Sequence, residues 1–223
     1  MWDRLTPEGR RVMHAALDAA EELGHGYIGD EHVLLGLLGD DAGPAQRFLH
    51  EHGLDLAAAR TDLARLTAEG GIPQSRGDDA ATLRTVGIDV GQVERQLNAA
   101  FGPDAVGEAV WRASRQPWWR GGGRRRNPLC GKPFFAKRAL ALAIEYADNQ
   151  GRRGIGPEHL LYGVLQDAAD PYGTGLGRRG RKHLTQLGWS IGASNPATEI
   201  LAAHGLDPAR LQAELSAQRG AAP

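Results

Sequence analysis

Sulfur is scarce in this sequence: one cysteine, Cys130, and two methionines among 223 residues. A lone thiol forms no internal disulfide and builds no thiolate cluster for zinc, which points to a reducing compartment. Net charge is equally scarce, with 26 Lys and Arg against 27 Asp and Glu, so no global field directs the chain to nucleic acid or to a membrane surface. No apolar run reaches the ~18 residues of a membrane-spanning helix, and MWDRLTPEGRR opens without the apolar core of a secretory leader. The expectation is a soluble cytoplasmic protein. Catalytic punctuation is missing too. There is no GxxxxGK[ST] phosphate loop, no GxSxG nucleophile turn, and no second His four residues after His32 or His159 to complete a zinc helix. The chain is therefore expected to be no enzyme and to need neither metal nor cofactor.

What is present is helix punctuation. Thr6 can cap a helix with Pro7 in its first position, and Val12, Ala15, Ala16, Ala19, Ala20 and Leu23 recur at helical spacing up to Gly24, so a helix is predicted near 7–23. Asp30 can cap a second, short helix with Val33, Leu34, Leu37 and Leu38 on its buried face. Pro44 opens a third that stops at Gly53, and Asp55 caps a fourth running to about Leu66. No segment alternates as a strand would, and the fold class is all-α.

The pattern then repeats. At an offset of 127 residues (159 − 32), Ala16, Ala20, Gly24, Ile28, Gly29, Glu31, His32, Leu34, Gly36 and Leu38 meet Ala143, Ala147, Gly151, Ile155, Gly156, Glu158, His159, Leu161, Gly163 and Leu165. Further on the offset is 152 (205 − 53), so the second copy carries about 25 extra residues, 171–194. A helix-Gly-helix corner occurs three times, at 48–63, 82–97 and 200–215. Two copies of a four-helix unit closing on each other as a pseudo-twofold pair fit this spacing better than an open solenoid.

Glu31-His32 and Glu158-His159 are the acidic-His pairs of the two copies. A carboxylate in a first helical turn is favoured by the backbone dipoles whether or not it meets a ligand, and the His residues have no nucleophile or metal partner in sight. The strongest local charge anomaly is 112–138, where Arg112, Arg115, Arg120, Arg124, Arg125, Arg126, Lys132, Lys137 and Arg138 stand without an acidic residue and with Trp118 and Trp119 among them. This segment is the basis of the alternative reading, a nucleic-acid-associated protein. A solvated arm is the simpler account, so nucleic acid is not the expected partner.

DRLTPEGRRVMHAALDAAEELGHGYIGDEHVLLGLL, followed by FLHEHGLDLAAAR, resembles the N-terminal domain of ClpC-type Clp unfoldases, and PFFAKRALALAIEYADNQGRRGIGPEHLLYGVL is similar to that domain's second repeat. The resemblance takes in residues 1–66 and 133 to about 216 and includes no AAA+ module, which implies a stand-alone Clp N-domain protein. It implies a bundle of two four-helix Clp N repeats: repeat 1 at 1–66, an inter-repeat segment at 67–132 with an extra helical stretch and the basic linker, and repeat 2 at 133–217 with the insertion, the two repeats forming one compact domain. The function implied is non-enzymatic peptide binding, as a substrate adaptor or a ligand-sequestering decoy in Clp proteolysis. The partners implied are a ClpC-type AAA+ unfoldase or its substrates and adaptors, with phosphoarginine-tagged proteins and cyclic peptides as ligand classes. Carried onto this sequence, the binding positions are Trp2, Thr6, Glu31, Phe134 and Glu158, with Thr6 expected to serve the Glu31 site. Asp30 and Phe135 each replace the Thr usual in the family, so the two sites are not expected to be equivalent.

Overall fold

The computed structural model describes residues 2–72, 134–186 and 188–220, with positions 92, 96 and 99–101 between them. The corner at 82–97, apart from isolated positions, and the Trp/Arg-rich segment up to residue 133 lie outside the described residues. Residues 1–73 and 133–223 make one compact unit and 74–132 another. The first unit carries both repeats.

Among the described residues of that unit every regular element is helical. After a short turn at Trp2–Arg4 come α1 (Pro7–Glu22), α2 (Asp30–Leu37), α3 (Pro44–Glu51) and α4 (Leu56–Ala68), then α5 (Lys137–Asn149), α6 (Pro157–Ala168), α7 (Arg178–Gln186), α8 (Pro196–Ala203) and α9 (Pro208–Gly220). The caps explain the boundaries. Thr6 Oγ1 accepts the Gly9 N–H at 3.1 Å and Asp55 Oδ1 that of Ala58 at 2.8 Å, each answering an amide the first turn leaves open. Gly24, Gly53 and Gly205 take positive φ after α1, α3 and α8, where a side chain would be strained. One boundary differs from expectation. Gly29, not Asp30, caps α2, and Asp30 is the first helical residue.

Each copy packs its first helix on its second at close range. Gly36 of α2 faces the Val12 carbonyl of α1, and Gly163 of α6 faces the Ala139 carbonyl of α5; a Cβ at either position would overlap that oxygen. The copies are then sewn together reciprocally. Leu5 pairs with Ile155, and Phe134 with Ile28, as two isolated parallel bridges. The Thr6 N–H donates to the Ile155 carbonyl at 3.0 Å, and the Phe135 N–H to the Ile28 carbonyl at 2.8 Å. At the far ends His52 Nε2 lies 2.9 Å from Glu214 and His204 Nε2 lies 2.9 Å from Asp62. Those two pairs exchange under one shift, 204 − 52 = 214 − 62 = 152, as a pseudo-twofold axis requires. The described residues of this unit thus form the all-α pseudo-twofold bundle.

Candidate functional site

The starts of α2 and α6 are built alike. Gly29 and Gly156 each donate their N–H to Nδ1 of the His in the third helical position, His32 or His159, at 3.0 Å. The preceding glutamate folds back over the same glycine, so that a Cβ on Gly29 or Gly156 would strike the Glu31 or Glu158 carboxylate. Both features belong to helix-start chemistry: the imidazole satisfies one free amide and the carboxylate faces the positive end of the helix. The recurrent Gly-x-Glu-His is in this sense a local cap whose glycine leaves room for the acid.

Exposure separates the two copies. The Glu158 side chain is 20% exposed, whereas that of Glu31 is fully buried. Burial pushes the Glu31 carboxyl up to about 7, against a partial stabilisation of its charge by its own backbone amide and by the nearby Tyr27 hydroxyl. The buried Tyr27 hydroxyl faces this carboxyl group. His32 Nδ1, 3.1 Å away, is itself an acceptor toward Gly29. Asp30 is buried as well and accepts from Asn195 Nδ2 at 2.9 Å. Its carboxyl is pushed well up, by burial first and by Asp167 second. Arg138 pairs with Asp167 at 3.0 Å and also with Asp170, which favours the charge on Asp167 and the proton on Asp30. Asp30 is accordingly an interior, hydrogen-bonded acid and not an extra surface charge.

The seams cross: the segment before the first helix of each copy meets the segment before the second helix of the other. Thr6 belongs to the first copy but is anchored to Ile155, one residue before Gly156, and its methyl packs against Gly154. It therefore stands at the Glu158 end, and its pairing with Glu31 is corrected. Phe135, the counterpart of Thr6, is anchored to Ile28 and its ring lies 5.5 Å from that of Tyr27, on the Glu31 side. Phe134 is 6% exposed and occupies the place that Leu5 holds in the other copy, which makes it a core residue. Trp2 opens the first turn. Around the Thr6 junction Arg4 bonds Asp148 at 2.6 Å and the carbonyls of Arg152 and Arg153, while Arg10, Arg152 and Arg153 remain exposed. Sequence reasoning missed Arg4, Asp167, Tyr172, Trp189 and Asn195; a Trp and a Tyr in a Gly-rich insertion were the one available sign of docking.

His25, Glu31 and His32 bring ligand-type atoms within 4.8 Å of one another. Because Nδ1 of His32 takes the Gly29 N–H, the neutral ring carries its proton on Nε2, which lies 2.8 Å from Nδ1 of His25. His25 continues the chain to Thr67 Oγ1 at 3.4 Å. A cation between the rings would have to displace that proton, so the trio fits a hydrogen-bond relay and does not fit a metal centre. Among the described residues no helix is long and apolar enough to cross a membrane.

Residues 4–84 match the family model for the Clp repeat (R) N-terminal domain. Similar proteins include the chloroplastic chaperone protein ClpC2 of Arabidopsis thaliana, 45% identical over 146 residues, which takes in 61% of this chain and 15% of that protein. The negative regulator of genetic competence ClpC/MecB of Bacillus subtilis is 31% identical over 151 residues, 65% of this chain and 18% of that protein. This chain thus spans less than a fifth of the length of these relatives. Among solved structures, the N-terminal domain of the caseinolytic protease associated chaperone ClpD from Arabidopsis thaliana aligns with 98% of this chain and 96% of its own at 18% identity and a TM-score of 0.49. By sequence match, residues 4–84 carry the Clp repeat (R) N-terminal domain pattern, and the chain is similar to the N-terminal portions of ClpC- and ClpA-type proteins.

Proposed function

We propose that this domain is a non-enzymatic peptide-binding module of the Clp proteolysis system and that it engages peptides at the Thr6–Glu158 junction. The observation that carries this reading is the crossed seam. It sets a partly exposed helix-start carboxylate beside the hydroxyl-capped start of α1, and the exposed residues Arg10, Arg152 and Arg153 lie close in sequence to the two joined segments. A carboxylate pairs well with a guanidinium, and helix-start amides with basic neighbours suit an anion, so a phosphoarginine-bearing peptide matches the chemistry at both ends. The partner is a ClpC-type unfoldase or its clients. An adaptor associates with the hexamer and alters client turnover, whereas a decoy binds the same peptide without touching it.

Calorimetric titration with a phosphoarginine peptide and an apolar cyclic peptide tests the site, and pull-down with purified unfoldase separates the two roles. Glu158→Gln is expected to weaken the phosphoarginine peptide at least tenfold, and Glu31→Gln to leave it within about twofold. Equal losses for both substitutions, or no binding of either peptide by the intact chain, would remove this reading.

A further inference from the structure

Where the first copy has the short turn Asp40–Ala42 between its second and third helices, the second copy has residues 171–194. This segment closes on itself through Tyr172 N–H to the Ala193 carbonyl at 2.8 Å and Gly192 N–H to the Tyr172 carbonyl at 3.0 Å. Arg178, Arg179 and Lys182 of α7 face solvent, while Tyr172, Leu184 and Trp189 turn inward. The Trp189 ring, 5% exposed, stands edge-on to Tyr27 at 6.1 Å and 5.0 Å from Tyr172. Asn195, immediately after the segment, makes the bond to Asp30. The insertion thus lies over the start of α2, which accounts for the different exposure of two glutamates that are otherwise equivalent.

The interface under it is unusual in its chemistry. The hydroxyl of Tyr172 and the indole N–H of Trp189 are buried there without hydrogen-bond partners, beside the buried carboxyl groups of Glu31, which faces the Tyr27 hydroxyl, and Asp30, which faces Asp167. Interiors rarely tolerate such a concentration, because each unmet donor or acceptor has given up water for nothing. Two unmet donors beside two buried carboxyl groups describe the walls of a polar, aromatic-lined pocket pressed shut.

We infer that residues 171–194 are an intramolecular occupant of the first-copy site, with Trp189 and Tyr172 standing where a ligand would reach Glu31, and that the segment opens to uncover Tyr27, Asp30 and Glu31. The functional consequence, one open and one latched site per chain, rests on the peptide-binding reading above; the structural claim does not. The latch is the Asn195–Asp30 bond together with the seating of Trp189.

Thiol accessibility in the full chain decides it. In a Cys130→Ser background, iodoacetamide is expected to label Glu158→Cys readily and Glu31→Cys at least a hundredfold more slowly. Adding Trp189→Gly, or Asn195→Ser, which keeps a capping oxygen but loses the reach to Asp30, should accelerate labelling at position 31 at least tenfold. A Leu34→Cys thiol, inside α2, must stay protected in the same backgrounds, so that opening is distinguished from unfolding. Equal labelling at 31 and 158 with the insertion intact, or continued protection at 31 in both opened variants, would overturn the inference. Titration with the phosphoarginine peptide then reads the consequence: stoichiometry rises from one to two in Trp189→Gly, and the gain disappears with Glu31→Gln. Should neither form bind peptide while Trp189→Gly still unmasks position 31, the latch stands and the peptide reading falls.

Discussion

At the scale of single residues, Glu31 concentrates what is unusual in this protein. Its carboxyl, ordinarily at 4.5, is held at about 7 by complete burial. The folded state therefore binds this proton more tightly than the unfolded chain, and this sets the sign. Below about pH 4.5 Glu31 costs nothing; between 4.5 and about 7 ionisation of the unfolded chain draws stability away; above 7 the loss is complete, on the order of 3 kcal/mol at ~1.4 kcal/mol for each tenfold. Glu31→Gln should consequently raise the unfolding midpoint at about pH 8, change it little near pH 4.5, and flatten the profile between, as thermal melts across that range would read. A midpoint unchanged at pH 8 would mean that Glu31 is solvated. The identity of this residue as a helix-start acid was legible from the Gly-x-Glu-His spacing. Its burial was not, because the aromatic rings and the Asn195 amide that cover this helix start arrive from more than 140 positions away along the chain, and no local pattern records them.

At the scale of elements, α1 to α4 were readable because Pro, Gly and capping side chains mark their ends, and the structure follows those marks closely. The shift of the α2 cap from Asp30 to Gly29 has a simple cause: the His32 ring already serves the Gly29 amide and the Glu31 carboxylate occupies the space a larger cap would need. The two glycines inside helices, Gly36 and Gly163, were visible only as repeated letters. In the fold they set how closely α2 approaches α1 and α6 approaches α5. Gly163→Ala should force α5 and α6 apart and destabilise the fold by about 1–3 kcal/mol, measured as a lower urea midpoint with unchanged slope. If alanine were tolerated there without loss, the close approach would not be a packing constraint.

For the molecule as a whole, the duplication was legible at two offsets, and so was a paired bundle. Which ends would meet was not, since the reciprocal contacts join residues more than 100 positions apart. One of them is open to titration. The Phe48 carbonyl, which accepts from His52 Nδ1, and then Glu214 hold the His52 imidazole above its ordinary 6.5. Glu214 is in turn held down, by His52 first and Arg210 second. The His52 contribution is fully present below pH 6.5 and fades as pH rises through the raised folded value; that of Glu214 is present above its ordinary 4.5 and fades as pH falls through its lowered one. His52→Gln should therefore lower the melting temperature at pH 6 more than at pH 8.5, and a loss independent of pH would assign His52 a packing role alone.

The reciprocal seams also bear on what a fused pair can do that a self-associating one cannot. In a dimer of identical chains every substitution appears on both sides of the axis. Here each can be made once: a hydroxyl stays at position 6 while its mate, position 135, becomes an aromatic ring that packs against Tyr27. Symmetry supplies the scaffold, and covalent fusion leaves each half free to specialise.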